Sequence, residues 1–154
     1  MDLLEDLKAD HARFLTALDH IGRLRARDAT SSLHRLSVQM RSHQDRERDS
    51  LFCALRRRAS ASAPLLDAMI REHSRLEQLL TQARAFVPSP ARRSDHRFIP
   101  AFHAFAAALR AHIAREEADV FPLACANFTL GELAAFAEEE RRGFPVSVEL
   151  GGSD

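Results

Sequence analysis

The sequence contains no tryptophan and no tyrosine, and it has only 5 glycines, 6 prolines and 2 cysteines in 154 residues. The absence of tyrosine excludes a tyrosyl metal ligand and a tyrosyl radical. Cys53 and Cys125 form neither a CxxC motif nor a disulfide framework, so reduced thiols in an intracellular protein fit best. No apolar run approaches the roughly 18 residues that mark a membrane-spanning helix.

The chain also lacks a net charge, because 22 basic residues are balanced by 22 acidic ones. Without a positive field, neither nucleic acid nor an anionic membrane is expected as the main partner. The first residues, MDLLEDLKADH, are acidic and lack the basic region and small-residue cleavage site of a signal peptide, so we expect the cytoplasm. The length and the 45% of hydrophobic residues are typical of one globular domain.

Because glycine and proline are scarce, a period of 3.6 residues dominates the pattern and predicts helices. Pro64 suits the first turn of the third helix. Thr30 or Ser31 is the expected cap of the second helix, and Thr129 with Glu132 has the spacing of a capping box. The predicted helices cover residues 2–26, 31–59, 64–86, 95 or 100 to 124, and 129–142.

Four long helices with short connections predict an all-α fold, an up-down-up-down four-helix bundle with a short fifth C-terminal helix. We expect one domain over residues 1–142 and a flexible tail over residues 143–154, where PVSVEL is a short strand-like run. A weak internal echo links the second and fourth helices, which carry HQDRERDSLFCAL and HIAREEADVFPLA. Both segments read His-x-x-x-Glu, followed by an apolar residue and a phenylalanine.

Helical spacing divides the eight histidines into two groups, because residues 3, 4, 7 or 8 apart share one face of a helix. One histidine of each long helix falls in the apolar stripe: His11, His43, His73 and His112. Three others lie nine residues, or about 2.5 turns, from an inward histidine and therefore face the opposite side. With His96, before the fourth helix, they form the set expected on the surface: His20, His34, His96 and His103.

Three glutamates, Glu47, Glu77 and Glu116, follow an inward histidine by four residues and are therefore predicted on the apolar faces too. A carboxylate inside a bundle is unfavourable unless it is paired or bound to a cation. One such motif alone usually marks a surface pair, but here all four long helices direct an imidazole inward. A pair of cations explains the collection, because imidazole binds Fe, Zn, Cu and Mn and carboxylates bridge two ions.

The number of donors fits two ions with an open position. Two ions with five or six positions each need about ten donors, and four imidazoles with two bridging carboxylates supply about eight. A third carboxylate, water or hydroxide completes the set, and a small ligand such as dioxygen, peroxide or nitric oxide can take an open position. The predicted metal residues are His11, His43, Glu47, His73, Glu77, His112 and Glu116.

The motifs resemble those of the hemerythrin-like HHE cation-binding family. HIAREEADVFPL is similar to its fourth-helix motif and HQDRERDSLFCAL to its second, with Arg48 where a second glutamate is common and Cys53 where proline is common. DHARFL and REHSRLEQLL resemble the first-helix and third-helix motifs, so the resemblance spans residues 2–125. It implies a non-haem di-iron centre of two Fe ions with carboxylate and oxo or hydroxo bridges. The implied terminal ligands and bridges are His11, His43, His73 and His112, with Glu47 and Glu116.

Glu77 departs from the oxygen-carrying hemerythrins, which have a second histidine at this place in the third helix. Glu77 is therefore either an extra iron ligand or the partner of a neighbouring arginine. We expect a protein that binds or reacts with dioxygen, peroxide or nitric oxide, with a sensing, scavenging or peroxidase- or catalase-like role. An iron-binding, storage or delivery module without turnover and a metal-free structural bundle stay open.

Cys53 and Cys125 lie one to two turns after the glutamates of their helices. We expect small hydrophobic core residues there rather than redox-active thiols. The fifth helix either caps the bundle or mediates dimerisation, so a monomer and a homodimer both fit. No nucleophile elbow, phosphate loop or CxxC motif indicates other catalytic chemistry.

Overall fold

The computed structural model describes residues 1–89 and 96–143, and all its regular elements within these ranges are helical. The long elements begin with α1, Leu3–Arg23, and continue with α2, Thr30–Arg46, a π-helical turn, Glu47–Phe52, and α3, Cys53–Arg58. They are followed by α4, Ala63–Ala85. The second half has α5, Phe98–Arg115, a π-helical turn, Glu116–Val120, α6, Phe121–Asn127, and α7, Leu130–Gly143.

Both π-helical turns continue the neighbouring helices without a break, so α2–α3 and α5–α6 each form one long rod. α1 packs on α2 and α5, and α4 packs on the same two helices. These contacts confirm the predicted all-α four-helix bundle. The short fifth helix, α7, packs on α1 and on the π-helical turn that follows α2.

Two helix starts follow the local signals in the sequence. Thr129 and Glu132 form the predicted capping box: the Thr129 backbone N–H donates to the Glu132 carboxylate (2.8 Å), and the Glu132 N–H donates to the Thr129 hydroxyl (3.2 Å). Pro64 lies in the first turn of α4, as predicted. Proline lacks a backbone N–H, but at this position an N–H would have no acceptor within the helix, so no hydrogen bond is lost.

The predicted cap of α2 is wrong. Thr30 and Ser31 both lie inside the helix, and Ala29 occupies the cap position without a side-chain hydrogen bond. The 3₁₀ turn Ala26–Asp28 leads the chain directly into the helical conformation, since Ala29 already has helical backbone angles. A side-chain cap is therefore not what starts this helix.

The fourth predicted helix begins at Phe98, with Pro100 in its first turn. The alternative start at Asp95, and most of the loop before it, lie outside the described residues. Gly143, the first residue of the predicted tail, ends α7. The rest of that tail, including PVSVEL, also lies outside the described residues, so its predicted flexibility stays a prediction.

Buried apolar residues form two clusters, one toward each end of the bundle. α1 contributes Phe14, Leu18 and Ile21 to one cluster and Leu3, Leu4 and Leu7 to the other. His11 lies between these two groups in the sequence and is itself buried. The same order recurs in the other long helices, so the inward histidines and two glutamates form a polar layer inside an otherwise apolar interior.

Solvent exposure confirms the sorting of the histidines. His20, His34, His96 and His103 are exposed, whereas the four inward histidines are buried. The cysteines differ from the prediction: Cys53 is half-buried, and Cys125 is exposed. The core interpretation is therefore wrong for Cys125, because it lies one residue beyond the buried Ala124 and faces outward.

Helix length and hydropathy determine whether a helix can cross a membrane. In the described part of the chain, no single helix is long and apolar enough to do so. The α5–α6 rod and α7 meet the length and hydropathy criteria only as a pair, and they are bent by 109° relative to each other.

Candidate metal centre

The inward histidines lie in the middle of the bundle, one on each of α1, α2, α4 and α5. Their exposed fractions are between 1% and 8%, and His73 on α4 is the most exposed. Each follows or precedes a buried apolar residue by three or four positions, so the amphipathic pattern of the helix directs it inward. Helix periodicity alone therefore accounts for the convergence of four imidazoles.

Glu47 and Glu116 are fully buried in the same layer, and each is the first residue of a π-helical turn. A π-helical turn holds an extra residue compared with an α-helical one. This allows Phe52 and Phe121, five residues after the glutamates, to be buried on the same side. The turns therefore keep the carboxylates inward without interrupting the apolar stripe. Such turns are frequent at functional sites.

Glu77 does not join this layer, so its predicted place on the apolar face is wrong. Its side chain is 63% exposed, and the Arg41 guanidinium donates to it at 2.9 Å. Two successive steps of four residues, from Met69 to His73 to Glu77, rotate a side chain by about 80° from the stripe. The stripe continues instead through Leu76, three residues after His73. The ion pair with an arginine is the alternative that the structure shows.

The donor atoms of the layer form two groups. In the first, His11 Nε2 lies 3.2 Å from His43 Nε2 and 3.4 Å from Glu116 Oε2. Glu47 Oε1 lies 2.7 Å from His43 Nε2. The donor atoms of all four residues lie within 4.8 Å of one another. We refer to this group, His11, His43, Glu47 and Glu116, as the first position.

The second group contains Glu47, His73 and His112, whose donor atoms also lie within 4.8 Å of one another. Glu47 Oε2 is 3.1 Å from His73 Nε2, and Glu116 Oε2 is 3.8 Å from His112 Nε2. We refer to His73, His112 and Glu47 as the second position. Because Glu47 uses one oxygen toward each position, it has the placement of a bridging carboxylate.

These separations fit cation binding. Two donors bound to one ion at about 2.1 Å lie no more than about 4.2 Å apart, and the pairs given above meet that limit. Six buried donor atoms of the layer have no hydrogen-bond partner among the described residues. Short distances without hydrogen-bond geometry are expected when lone pairs converge on a common point. The six atoms are both carboxylate oxygens of Glu47, both of Glu116, His73 Nε2 and His112 Nε2.

Similarity to known proteins identifies the family of the chain. The model of the hemerythrin HHE cation-binding domain family matches residues 2–124. The chain belongs to this family. No curated protein and no solved structure gave a significant match.

Three further carboxylates of this HHE domain orient its histidines. The Nδ1 of His11 donates to Glu117 (2.8 Å), that of His43 to Asp10 (3.1 Å), and that of His112 to Glu72 (2.9 Å). Metal-binding histidines usually donate their second ring nitrogen to a carboxylate in this way. Because ionised carboxylates only accept, Nδ1 carries the proton and Nε2 is left facing the centre. The inward-face pattern of the sequence does not predict any of the three carboxylates.

Two arginines support these outer carboxylates. Arg46 Nη1 donates to Asp10 at 3.0 Å, and Arg115 donates to Glu72. In both cases the arginine and a histidine donate to the same carboxylate, and the arginine lies three residues after that histidine in the sequence. The sequence therefore contains the pattern His-x-x-Arg-Glu twice, once in HQDRE and once in HIARE. In addition, an acidic residue directly precedes each of the other two inward histidines, in DH and in EH. This repeat could have identified Asp10 and Glu72 from the sequence.

The two phenylalanines of the similar segments in the second and fourth predicted helices, Phe52 and Phe121, have the same role. Phe121 stacks on the His11 ring, with ring centroids 5.6 Å apart, and Phe52 stacks on the His73 ring at 6.0 Å. Both phenylalanines are buried. Each covers a histidine of the opposite half of the bundle, so the site has approximate twofold symmetry, and both rings belong to the apolar cluster on one side of the donor layer.

Electrostatics show how the layer compensates its buried charge without a cation. Burial and the nearby Glu47 raise the pKa of Glu116 well above its usual value. Burial alone would raise the pKa of Glu47 too, but His43 and His73 outweigh it and hold that pKa well below its usual value. Burial opposes protonation of His43, yet Glu47 and Asp10 together raise its pKa to about 9. A proton on His43 thus places a positive charge beside Glu47, where a cation would otherwise lie.

Proposed function

We propose that this chain binds two iron ions, one at each position, and that the pair binds or reacts with dioxygen, peroxide or nitric oxide. The observation that carries the proposal is a set of six buried donor atoms in the middle of the bundle that have no hydrogen-bond partner in the described part of the chain. Unpaired buried polar groups destabilise a fold by about 1–3 kcal/mol each. In a metal-free bundle the proton on His43 offsets only part of that penalty, whereas cation binding removes it.

The donor set favours iron over harder and softer ions. Four imidazoles and two carboxylates form a mixed nitrogen and oxygen environment, which suits iron and manganese better than magnesium or calcium. Such pairs occur in four-helix bundles that direct glutamate and histidine inward. The neutral Nε2 atoms and the two carboxylates bring two negative charges to two cations. Small anionic ligands can balance the remaining positive charge.

The residues of the chain hold the ions, orient their ligands and exclude water. Asp10, Glu72 and Glu117 fix the ring orientations through Nδ1, and Phe52 and Phe121 cover two of the rings. When bound, an iron pair supplies one- and two-electron redox chemistry to small oxygen or nitrogen ligands. The six ligands provide about eight donor contacts for about ten positions, which leaves space for such a ligand.

Elemental analysis of the purified protein tests the binding of two ions. We expect near two Fe per chain in the native protein and a large loss in His112→Ala. His103→Ala is the matched control, because His103 lies nine residues earlier in the same helix and is exposed. Equal iron content in all three proteins would remove His112 from the site.

A second candidate is an iron-binding, storage or delivery module without turnover. A cleft that reaches His73 from the surface favours this candidate, because an accessible ion can be exchanged. The two functions differ in peroxide consumption by the iron-loaded protein: a redox protein consumes it in many equivalents per chain, and a delivery module does not. In both cases we expect the protein in the cytoplasm, bound to no membrane or nucleic acid.

A further inference from the structure

The approximate twofold symmetry of the site is broken at one pair of positions. Glu117 directly follows the buried Glu116, and its carboxylate accepts from Nδ1 of His11 at 2.8 Å. The residue that directly follows Glu47 is Arg48, where the symmetry would place a carboxylate for His73. The second position thus has an arginine where the first has a glutamate.

His73 has no carboxylate on its outer nitrogen. Its Nε2 is buried and lies 3.1 Å from Glu47, whereas Nδ1 has no hydrogen-bond partner among the described residues. The ring lines a cleft of about 250 Å³ between α2 and α4. Three arginines also line this cleft: Arg41, Arg48 and Arg84. Two carboxylates, Asp45 and Glu77, line it as well, but they pair with Arg48 and Arg41, and neither contacts His73 among the described residues.

Arg48 itself does not take part in the donor layer. Its side chain is 52% exposed and forms ion pairs with Asp45 (2.9 Å) and Asp49 (2.8 Å) on the same rod. Since both Arg48 and His73 line the cleft, a carboxylate at residue 48 would face His73 as Glu117 faces His11. The positive charge now at this place acts against a nearby cation, although solvent reduces the effect.

The number of donors adds to this difference. The first position combines two imidazoles with two carboxylates, whereas Glu116 approaches the second only through Oε2, 3.8 Å from His112 Nε2. A carboxylate on the second ring nitrogen raises the basicity of a histidine ligand, and its removal typically lowers metal affinity roughly 10-fold to 100-fold. Both differences weaken the same position.

We infer that the two ions are held unequally: the second position, at His73 and His112, binds its ion more weakly than the first because Arg48 replaces a carboxylate. This inference rests on the proposed binding of two ions. In the described residues the Arg48 side chain pairs with Asp45 and Asp49 and not with a ligand of either position, so its effect is expected through His73, which it leaves without a carboxylate on Nδ1. Ion binding should therefore occur in two separable steps.

Equilibrium titration of the full metal-free chain with Co²⁺, in competition with a chelating dye, measures both steps without redox chemistry. In Arg48→Glu, we expect the weaker step to tighten by roughly 10-fold or more and the stronger step to stay unchanged. Glu117→Gln should weaken the stronger step instead. Arg57→Glu is the matched control, because it makes the same charge change at an exposed residue of the same rod, away from the cleft.

Each outcome has a distinct meaning. Two steps of equal affinity in the native chain would overturn the inference and leave the proposed function intact. The inference is also wrong if Arg48→Glu and Arg57→Glu have the same effect, or if Arg48→Glu tightens only the stronger step. Failure of the native chain to bind either Co²⁺ or Fe²⁺ would overturn the proposed function itself.

Discussion

Replacing Glu116 by leucine should make the metal-free protein more stable and the metal-loaded protein less stable than the native chain. Glu116 is fully buried, and neither of its oxygens has a hydrogen-bond partner in the described residues. In the metal-free state, burial and the neighbouring Glu47 raise its pKa well above the usual value, so its ionised form is disfavoured at this position. Leucine has a similar size and fills the same space between the apolar clusters.

The magnitude follows from the cost of the unsatisfied group. Removing a buried group without partners recovers about 2 kcal/mol. For a chain of this length, 1 kcal/mol moves the melting temperature by about 2–4 °C, so Glu116→Leu should melt roughly 4–8 °C above the native metal-free protein. With metal at a hundredfold excess over its dissociation constant, the native chain gains about 2.7 kcal/mol per position. The variant should lose most of this gain.

Thermal unfolding followed by circular dichroism, with and without a strong chelator, measures both effects. Glu77→Leu is the matched control, because it makes the same substitution at a glutamate that is 63% exposed. Its melting temperature should change little in either state, since exposed ion pairs contribute about 1 kcal/mol at most. A metal-free Glu116→Leu protein that melts below the native one would refute the reasoning, because Glu116 would then be favourably paired without a cation.

Two further predictions concern protonation and thiol reactivity. The pKa of His43 is raised from 6.5 to about 9, so its stabilising charge is present below pH 6.5 and is lost as the pH rises through 9. Denaturant unfolding of the metal-free protein should therefore show a loss of up to about 3 kcal/mol across this range, and a flat profile would contradict the assigned environment of His43. Under native conditions a maleimide should label the exposed Cys125 faster than the half-buried Cys53, and equal rates would contradict the described exposure.

Much of the fold could be predicted because each helix carries its own periodic signal. The stripe around His43 runs through Met40 and Leu36, and the stripe around His112 runs through Leu109 and Phe105, all of which are buried. Helix ends are predicted less well, because the conformation of the preceding turn can determine where a helix begins even when a capping residue such as Thr30 lies close by. The α2 cap shows this: the 3₁₀ turn before Ala29 determines where the helix begins.

The candidate site divides in the same way. Six of the seven predicted metal residues lie in one layer, and Glu77 does not. Each step of four residues rotates a side chain around the helix axis, and two such steps carry Glu77 out of the buried stripe. Steps that alternate between three and four residues keep a constant face, as in Leu109, His112 and Glu116. From Met69 to His73 to Glu77 the step is four residues both times.

The outer carboxylates could not be predicted from inward faces, because they lie at the edges of the stripes. Asp10 and Glu72 are each adjacent in sequence to an inward histidine, yet each contacts a histidine of a different helix. Such a contact depends on how neighbouring helices are rotated relative to each other. The periodicity of a single helix carries no information about that rotation.

Arg46 connects the last described helix to the centre of the bundle. It donates to Asp10, which accepts from His43, and also through Nε to Glu140 of α7 at 2.8 Å. Glu140 is largely buried, so this contact is part of the docking of α7. Displacing α7 would free the Arg46 guanidinium to reorient, and occupancy at His43 would in turn favour one position of α7. If the centre binds metal as proposed, its loading and the docking of the C-terminal helix should be thermodynamically linked through one guanidinium group.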